Sequence, residues 1–513
     1  MPPFARFRLL AFFALVFAAG SASSADQPSA CRYRLAGQLP LQYHGSSMSV
    51  TTGGQINRTA AVMLIDTGAS STFITRLGTD KRSMWLDNTL DAVAGVGGTS
   101  RLYRAPLRHF QIGPIISEPL NGSLLAIDEM GERPDFDAIV GVDFLLEMDL
   151  EIILADKQMK FYSPKNCEDT FLGYWDAKAI VVPMKPERGT KRPMIEILLN
   201  GVKMTALIDT GASTSSVTRA AAGRAGVTPA SAGVRKAGQF SGIGSKRINV
   251  YNAAFKTFSV GEETINNPVL MMMEGEQKGF DVLLGTDFLR AHRVLLAASQ
   301  KAVYLSYTGG KPFDDGKAVG WIEKDAQSGN SYAQFRMAME TVDSDNATAA
   351  TAGRAWLTRA AAANNPLALH YLAREHARLD RRADSVSTYE QLVALDTYDL
   401  STQIELFAAR TKNGRAAEAK SGLKAALAQF RWPRWPAPIA EYYLGESKLD
   451  DVLRQSRKDS DVAQRRECET YRHAHALQDA LGQVELATGL AVKAKDSCAK
   501  ANGHNDEDDE RGR

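Results

Sequence analysis

The heptapeptide Leu64-Ile65-Asp66-Thr67-Gly68-Ala69-Ser70 occurs twice in this chain of 513 residues. It returns without change at 207–213, as Leu207-Ile208-Asp209-Thr210-Gly211-Ala212-Ser213. Self-similarity at a fixed spacing is the sequence signature of a repeated structural unit. A duplicated unit is therefore expected if neighbouring segments repeat in the same order and at the same spacing.

Two further features recur in that order. The segment FDAIVGVDFL at 136–145 matches FDVLLGTDFL at 280–289. Between each heptapeptide and its downstream match lies a glycine-rich turn, Gly95-Val96-Gly97-Gly98 in the first copy and Gly242-Ile243-Gly244-Ser245 in the second. These ordered matches predict a duplicated unit of roughly 130 residues, with one copy over 32–167 and the other over 178–308.

Each copy is expected to be rich in β-strands. In the second copy, the apolar runs 194–199 and 202–208 are joined by Asn200-Gly201, which is a strong hairpin signal. Short runs at 255–260, 269–273 and 303–307 continue the pattern, and Gly, Pro and polar residues separate them. This punctuation favours a small closed barrel in each copy.

The repeated Asp-Thr-Gly suggests a specific chemistry. Two carboxylates held close together cannot both ionise, so they share one proton. Such a pair can activate a water molecule and polarise a carbonyl group without a metal, a cofactor or a side-chain nucleophile. We expect Asp66 and Asp209 to form this pair across a pseudo-two-fold axis. Two kinds of residue would support the pair. Gly68 and Gly211 would allow the two loops to approach closely, and Thr67 and Thr210 would exchange hydrogen bonds across the axis.

The full pattern resembles the retropepsin and pepsin-like aspartic peptidases, most nearly the bacterial retropepsin-like group. The resemblance covers about 40–165 and 185–308 and rests on Asp-Thr-Gly-Ala-Ser, the glycine-rich turn and the later apolar-apolar-Gly. It implies a two-lobed acid-protease barrel whose flaps close over a peptide. The flap positions are Gly95, Val96, Gly97, Gly98, Gly242, Ile243 and Gly244, and the glycines beneath the catalytic loops are Gly141 and Gly285.

Two departures from the pepsin pattern affect the expected chemistry. Ala69 and Ala212 stand where pepsin-like enzymes carry Ser or Thr, so one donor to each Asp is lost. The pKa values of the pair should therefore be raised, which predicts activity at mildly acidic to near-neutral pH. Neither glycine-rich turn offers the flap tyrosine of the pepsins. Asp143 and Asp287 also sit at matched positions, and we interpret them as helix-start caps.

The last third of the chain is expected to be helical. A linker rich in Gly, Lys and Asp is predicted over 309–331, and helical repeats over 332–502. Leu372, Ser385 and Tyr389 recur 34 residues later as Leu406, Ala419 and Leu423. That period resembles tetratricopeptide repeats, with further helix pairs over 436–455 and 465–500. Such an array would recruit a substrate or a partner protein, and a structural appendage is the alternative.

The termini and the cysteines suggest export. Arg6 and Arg8 precede a short apolar stretch and then small residues, a pattern typical of a secretory signal peptide over 1–25. A periplasmic or secreted location follows, with no stable membrane span after cleavage. The four cysteines favour two local disulfides, Cys31 with Cys167 and Cys468 with Cys498, and four free thiols are the alternative. The charged end at 503–513 is expected to be a disordered tail.

Composition limits the partners. The formal net charge is only +2 and 44% of residues are hydrophobic, so no nucleic-acid partner is indicated. No His or Cys spacing indicates a metal. The sequence therefore predicts an exported aspartic endopeptidase acting on a peptide or protein, without a cofactor. The competing hypothesis is a scaffold that uses the same fold and repeats to bind a peptide without cleaving it.

Overall fold

The structure is a computed structural model that describes residues 30–117, 122–131, 133–185, 187, 189–275, 277, 279–313, 320–431 and 434–501. The chain divides into two compact units between residues 319 and 320. The predicted signal peptide and the predicted charged tail lie outside the described residues. No described helix is both long enough and apolar enough to cross a bilayer.

The unit before residue 320 is built almost entirely of strands. Its first half contains β1 Arg32–Pro40, β2 Gln42–His44, β3 Ser49–Ile56, β4 Thr59–Ile65, β5 Phe73–Ile74, β6 Asp87–Gly95, β7 Gly98–Pro106, β8 Phe110–Ile112, β9 Ile115–Ser117, β10 Ser123–Ile127, β11 Ala138–Val140, β12 Asp149–Ile153 and β13 Gln158–Lys165. Its second half contains β14 Ile180–Pro183, β15 Met194–Leu199, β16 Val202–Ile208, β17 Ser216–Thr218, β18 Arg235–Phe240, β19 Ile248–Ala254, β20 Thr257–Val260, β21 Glu263–Asn266, β22 Val269–Met273, β23 Val282–Leu284, β24 His292–Ala297 and β25 Ala302–Tyr307. The short helices are α1 Arg76–Asp80, α2 Val142–Leu145, α3 Arg219–Arg224 and α4 Thr286–Leu289.

Two of the three sheets have the same strand order. The Asp66 sheet runs β6-β7-β10-β5-β11-β4-β3-β8-β9, and the Asp209 sheet runs β18-β19-β22-β17-β23-β16-β15-β20-β21. In each sheet, one strand leads to the repeated Asp, and it is paired in parallel with the short apolar strand that ends just before Gly141 or Gly285. The pairs are β4 with β11 and β16 with β23. The two sheets therefore place their Asp-Thr-Gly loops at equivalent strand ends.

The predicted hairpin at Asn200-Gly201 is confirmed. Strands β15 and β16 have the expected bounds and pair from Met194↔Leu207 to Leu199↔Val202. Both turn residues have a positive φ, 50° for Asn200 and 78° for Gly201, which is the geometry of the tight turn that matches strand twist. The hairpin therefore fixes the register of the strand that ends beside Asp209.

The closed barrel expected for each copy is wrong. Neither sheet closes on itself, since β6 and β9 are the edges of one and β18 and β21 the edges of the other. The terminal strands of both copies instead form a third, shared sheet in the order β1-β13-β12-β24-β25-β14. Hydrogen bonding between β12 and β24 joins the two halves directly, so the terminal strands of the two copies tie the halves together.

A buried carboxylate fixes a covering segment onto this shared sheet. Glu151 is fully buried on β12 and accepts hydrogen bonds from Arg293 Nε at 2.7 Å and from Tyr174 Oη at 2.9 Å. Tyr162 Oη donates to the same carboxylate at 3.2 Å. Because these donors replace the lost water, the charge can remain buried. The segment around Tyr174 is thereby held against the face of the shared sheet.

Both predicted disulfides form. Cys31 bonds to Cys167 and Cys468 to Cys498, with Cα–Cα distances of 4.6 and 4.7 Å. The first joins the start of β1 to the chain just beyond β13, so it closes the edge of the shared sheet. The second joins two antiparallel helices of the second unit.

The unit that starts at residue 320 is helical. Its helices are α5 Gly320–Gln327, α6 Ser331–Thr341, α7 Ala347–Ala362, α8 Pro366–Arg378, α9 Arg382–Leu395, α10 Leu400–Lys412, α11 Ala416–Ala428, α12 Ala437–Leu444, α13 Leu449–Ser456, α14 Ala463–Ala480 and α15 Val484–Ala501. Helix α8 begins at Pro366 and α10 at Leu400, a spacing of 34 residues. The predicted period is therefore present as successive helical hairpins.

Helix α5 lies inside the predicted linker over 309–331, where the division between the two compact units also falls. Ile322, Asp325 and Ala326 are buried on one face of α5, which packs against α6. These positions have the i, i+3, i+4 spacing of an amphipathic helix. The Gly, Lys and Asp content of the stretch concealed a helix of only two turns.

Candidate active site

Two parallel strand pairs bring Asp66 and Asp209 to the same place. The Asp66 N–H donates to Val140 O at 3.0 Å, and the Asp209 N–H donates to Leu284 O at 2.9 Å. The two acceptors end the equivalent strands β11 and β23. Each Asp is therefore fixed at its backbone by the apolar strand beside it, and the side chain projects from a rigid element.

The glycines after each Asp-Thr allow the two loops to meet. A Cβ added to Gly68 would lie 2.5 Å from the carboxyl carbon of Asp209, and one added to Gly211 would lie 2.7 Å from both carboxyl oxygens of Asp66. No side chain fits at either position. The loops thus cross over one another, and each glycine sits against the carboxyl group of the opposite copy.

The threonines lock the two loops through reciprocal hydrogen bonds. Thr67 Oγ1 donates to Ile208 O at 2.8 Å and accepts from the Thr210 N–H at 3.0 Å. Thr210 Oγ1 donates to Ile65 O at 2.7 Å and accepts from the Thr67 N–H at 3.1 Å. Thr67 and Thr210 are buried, so these four bonds satisfy every polar group they involve.

The environment of the two carboxyl groups disfavours their ionisation. Burial, the nearby charge of Asp209 and the hydrogen bond between the two side chains raise the pKa of Asp66 well above its ordinary value. Burial also raises the pKa of Asp209, although its hydrogen bond with Asp66 and the backbone N–H groups oppose the shift. A pair this close titrates as a unit, so the shared proton belongs to both residues.

Backbone donors still stabilise one negative charge on the pair. Asp66 Oδ1 accepts from the N–H groups of Gly68 at 2.8 Å and Ala69 at 2.9 Å. Asp209 Oδ1 accepts from the Gly211 N–H at 2.8 Å. Within the described residues, no side-chain hydroxyl group bonds either carboxyl group, because alanine occupies positions 69 and 212. The arrangement therefore favours a pair that carries one proton and one negative charge. Burial disfavours a second charge, and the backbone donors disfavour full protonation.

Arg192 was not anticipated from the sequence. Its positive charge contributes to lowering the pKa of Asp209, after the larger effects of Asp66 and the backbone donors. The guanidinium group also forms an ion pair with Glu187, with Nε–Oε2 at 2.8 Å. Arg192 lies two residues before β15, in an irregular segment, so no periodic pattern marks it. It makes the surroundings of the two carboxyl groups unequal.

Gly141 and Gly285 lie beneath the Asp loops, where the resemblance placed them. A Cβ on Gly141 would lie 2.9 Å from Ala69 O, and one on Gly285 would lie 2.8 Å from Ala212 O. The N–H groups that follow donate to the same carbonyls, Val142 to Ala69 and Thr286 to Ala212. The glycines thus let the starts of α2 and α4 support the loops from below.

The interpretation of Asp143 and Asp287 as helix-start caps holds only in part. The N-cap positions of α2 and α4 are Gly141 and Gly285, but each carboxylate accepts from an N–H of its own first turn, Phe144 at 2.9 Å and Phe288 at 2.8 Å. Asp143 also accepts from the Thr72 N–H at 3.0 Å and from Thr72 Oγ1 at 2.7 Å. The side chains of Asp143 and Asp287 face the segment that follows each Asp-Thr-Gly loop, because the first turns of α2 and α4 lie beside that segment.

Ser215 makes the equivalent contact in the second copy. Its N–H donates to Asp287 Oδ1 at 2.9 Å and its hydroxyl group donates to the same oxygen at 2.5 Å. Both hydroxyl groups, Thr72 and Ser215, also accept from the N–H of the glycine beneath the loop. The sequence signal for this function was present, since both hydroxyl residues stand six positions after their Asp.

The two glycine-rich turns are the tips of long hairpins. Gly95 ends β6 and Gly98 begins β7, and the second turn joins β18 to β19. The tips contact each other, since the Gly97 N–H donates to Ile243 O at 2.9 Å. Val96 packs on the apolar cluster that includes Ala212, and Ile243 packs on the one that includes Ala69. Each hairpin tip therefore reaches the Asp loop of the opposite sheet.

In the described part of the chain, no group of three or more His, Cys, Asp or Glu side chains has an arrangement that could hold a metal ion. The groups at the site are two carboxyl groups, backbone donors and apolar side chains. Such a site is equipped to hold and move a proton beside an extended backbone. The facing Asp-Thr-Gly loops and the hairpin tips above them give the unit the site of an aspartic-peptidase-like protein.

Comparison with known proteins supports that class. Residues 195–291 match the family model of gag-polyprotein putative aspartyl proteases. The matched part includes the second Asp-Thr-Gly, the second hairpin tip and Gly285, and it spans about a fifth of the chain. The chain thus contains a region similar in sequence to aspartyl proteases.

A solved structure is also similar, but more remotely. The aspartic proteinase from Irpex lacteus matches at 11% sequence identity and a TM-score of 0.35, covering 56% of this chain and 99% of that one. No curated protein matches this chain.

Proposed function

We propose that this protein is an exported aspartic endopeptidase whose catalytic residues are Asp66 and Asp209. The observation that carries the proposal is the pair of crossed Asp-Thr-Gly loops, in which each glycine abuts the opposite carboxyl group. The raised pKa values of both side chains support a pair that retains a shared proton. The family match over 195–291 supports the same reaction class.

The reaction follows from one shared proton. The ionised carboxylate accepts a proton from water, and the water oxygen bonds to the carbonyl carbon of the scissile peptide. The protonated carboxyl group donates its proton to the carbonyl oxygen, which gives a neutral gem-diol. As the C–N bond breaks, the carboxyl group that took the proton from water donates it to the peptide nitrogen. The other carboxylate takes a proton from a hydroxyl group of the gem-diol, so the products are a carboxylic acid and an amine and the pair again holds one proton.

The remaining parts of the proposal concern location and partners. The basic, apolar and small-residue pattern of 1–25 supports export to the periplasm or the exterior, and the two disulfides are compatible with such a compartment. The two copies of the Asp-Thr-Gly unit represent duplicated retropepsin-like lobes. The 34-residue spacing of α8 and α10 supports tetratricopeptide-like repeats that recruit a substrate or a partner protein.

A binding scaffold is the second candidate, and one observation favours it. The hairpin tips bond to each other and pack against the Asp loops, so the cleft is closed as described. A protein that holds a peptide without cleaving it would tolerate such closure, whereas a peptidase has to open. The two functions differ in whether an added peptide is cut.

Cleavage of a diverse peptide library between pH 3 and pH 8 tests the proposal. We expect wild type to cut, and Asp66→Asn or Asp209→Asn to abolish cutting while each variant still folds. Asp156→Asn is the matched control, because Asp156 is exposed at the end of a short 3-10 helix in the same unit. Binding of a statine-type peptide without cleavage of any library member by wild type would favour the scaffold.

A further inference from the structure

Arg192 lies beside Asp209 because of the register of the hairpin formed by β15 and β16. The Ile208 N–H donates to Pro193 O at 3.0 Å, which continues the ladder beyond the named strands by one residue. The next pair along the ladder is Arg192 with Asp209. Since hydrogen-bonded and non-hydrogen-bonded pairs alternate, this is a non-hydrogen-bonded pair, and the side chains of such a pair start close together on one face. The Arg192 side chain therefore starts on the face from which the Asp209 carboxyl group projects.

The equivalent position in the first copy carries no cation. Continuing the ladder between β3 and β4 as far as Asp66 places Ser49 opposite it. On its other side Ser49 pairs with His44. Burial lowers the pKa of His44, although the charge of Asp135 opposes this shift. Burial also raises the pKa of Asp135. The titratable groups on the Asp66 side are thus disfavoured in their charged forms, whereas an arginine stands on the Asp209 side.

Glu187 holds the Arg192 guanidinium group in place. Arg192 Nε donates to Glu187 Oε2 at 2.8 Å, and the two side chains are 18% and 28% exposed. Thr190 Oγ1 donates to the same carboxylate oxygen at 3.2 Å. Gly279 leaves room for the carboxylate, because a Cβ there would lie 2.7 Å from Glu187 Oε1. Glu187 therefore fixes the position of the positive charge and offsets part of its effect on Asp209.

The backbone donors do not distinguish the two carboxyl groups. Burial raises the pKa of both Asp66 and Asp209, and in each loop the N–H groups of the glycine and the alanine oppose that shift. The charge of Arg192 further lowers the pKa of Asp209. Ser49 is neutral and cannot do the same for Asp66. The negative charge of the pair is therefore better stabilised on Asp209.

We propose that Arg192 is a positioning residue that keeps the shared proton on Asp66 and the negative charge on Asp209. The pair still titrates as a unit, and Arg192 determines which of its two singly protonated forms is more populated. Asp209 then takes the proton from water as the water oxygen bonds to the carbonyl carbon, and Asp66 gives its proton to the carbonyl oxygen. These roles rest on the proposed peptidase function, whereas the position of the proton can be measured without cleavage.

Two single variants allow that measurement. Asp66→Asn leaves Asp209 as the titrating group of the pair, and Asp209→Asn leaves Asp66. Urea unfolding of the full chain between about pH 3 and pH 9, followed by hydrogen exchange of peptides covering 59–72 and 202–215, gives the free energy of unfolding relative to the double variant. For a carboxyl group with a raised pKa, this difference falls as pH rises and levels off above the folded pKa. We expect it to level off about one pH unit lower in Asp66→Asn than in Asp209→Asn.

Substitution of Arg192 tests whether its charge causes the difference. In the Asp66→Asn background, Arg192→Gln should raise the pH at which the difference levels off by about one unit. Glu187→Gln should lower that pH, because the guanidinium group then loses its partner and its charge acts in full on Asp209. Arg192→Lys keeps a positive charge and should retain most of the effect. Lys203→Gln is the matched control, because it removes a cation from an exposed ion pair of the same hairpin, and it should leave that pH unchanged.

The contrast between the two backgrounds decides the proposal. In Asp209→Asn, Arg192→Gln should shift the titration of Asp66 by less than half as much as it shifts that of Asp209. Equal levelling-off values in the two single-Asp variants would overturn the proposal, as would equal shifts in the two backgrounds. If Arg192→Gln does not fold, Glu187→Gln gives the answer, since the absence of a downward shift there would overturn it as well.

Cleavage of library peptides adds a second readout, because kcat/KM rises with pH as the pair loses its first proton. With both Asp residues intact, Arg192→Gln should move this rise upward by about one pH unit, and Arg192→Lys should largely restore it. Titrations as expected in a protein that cuts nothing would support the position of the proton and overturn the peptidase function. Cleavage by a protein whose two single-Asp variants titrate alike would overturn the role of Arg192 and leave the peptidase function intact.

Discussion

The hydroxyl group of Thr67 is the contact whose removal tests most directly how the two Asp loops are held. Thr67→Val keeps the shape of the side chain and deletes the hydroxyl group. It leaves Ile208 O without its donor at 2.8 Å and the Thr210 N–H without its acceptor at 3.0 Å. Both groups stay buried. Each buried unsatisfied group costs about 1–3 kcal/mol, so unfolding should become easier by about 2–6 kcal/mol.

Thr67→Ser is the matched control, because it keeps the hydroxyl group and loses one methyl group. The expected cost is about 1 kcal/mol. Urea unfolding followed by pulsed hydrogen exchange would report the unit before residue 320 separately from the helical one, through peptides covering 59–72 and 202–215. Because the loops carry the carboxyl pair, Thr67→Val should also lower kcat/KM by about 100-fold.

The difference in unfolding free energy between Thr67→Val and Thr67→Ser tests whether the hydroxyl group holds the loops together. If Thr67→Val is no less stable than Thr67→Ser, the hydroxyl group contributes nothing and the account of the interlocked loops is wrong. By the reciprocity of the four bonds, Thr210→Val should match Thr67→Val within the uncertainty of the measurement. A large difference between them would mean that one loop depends on other contacts.

Three further outcomes are expected. Because the folded pKa values of Asp66 and Asp209 are raised, the stability that the pair contributes is fully present below about pH 4 and is lost as pH rises through the folded values. The free energy of unfolding of wild type, compared with that of Asp66→Asn, should therefore fall from pH 4 to pH 7 by about 1.4 kcal/mol for each pH unit by which the pKa is raised; a constant difference would contradict this. In the helical unit, burial desolvates Glu405, but its interactions with His370 and Arg374 outweigh that effect and lower its pKa to about 2. Glu405→Gln should therefore lower the free energy of unfolding by about 3 kcal/mol at pH 7 and by almost nothing at pH 2. Equal losses at the two pH values in chemical denaturation would refute the pairing. Gly68→Ala should abolish peptide cleavage because its Cβ would clash with the Asp209 carboxyl group. Gly223→Ala, which adds a Cβ in open space on α3, should leave cleavage unchanged. Cleavage by Gly68→Ala at the wild-type rate would refute the close approach of the two loops.

Much of the fold could be predicted because the chain states the same pattern twice. The hairpin at Asn200-Gly201, the equivalent short strands before Gly141 and Gly285 and the 34-residue spacing of helices all depend on local signals. Turn chemistry, apolar runs and periodicity act over a few residues, so they can be read in order along the chain. The positions of the two Asp loops were predictable for the same reason. The two disulfide pairings followed instead from where the cysteines stand, at the two ends of the first copy and of the last helical segment.

The closed barrel was wrong, and the second partner of each helix-start Asp was missed, because both depended on segments far away in the chain. Strands β12 and β24 pair across about 140 residues of sequence, and no local pattern states that they leave their own sheets. Asp143 looked like a cap because it stands at a helix start, but Thr72 lies within its reach only after folding. Helix α5 was missed because two turns give too few positions to show a period.

The sequence by itself determined that two Asp-Thr-Gly loops exist, that each follows an apolar strand and that each is followed by a glycine-rich hairpin tip. Only the tertiary structure decided that the loops cross, that both carboxyl groups become hard to ionise and that the hairpin tip at Gly242-Ile243-Gly244 bonds to the opposite sheet. The reason is physical. Strand and turn propensities are properties of neighbouring residues, whereas burial, shared protons and long-range hydrogen bonds exist only between segments that folding brings together.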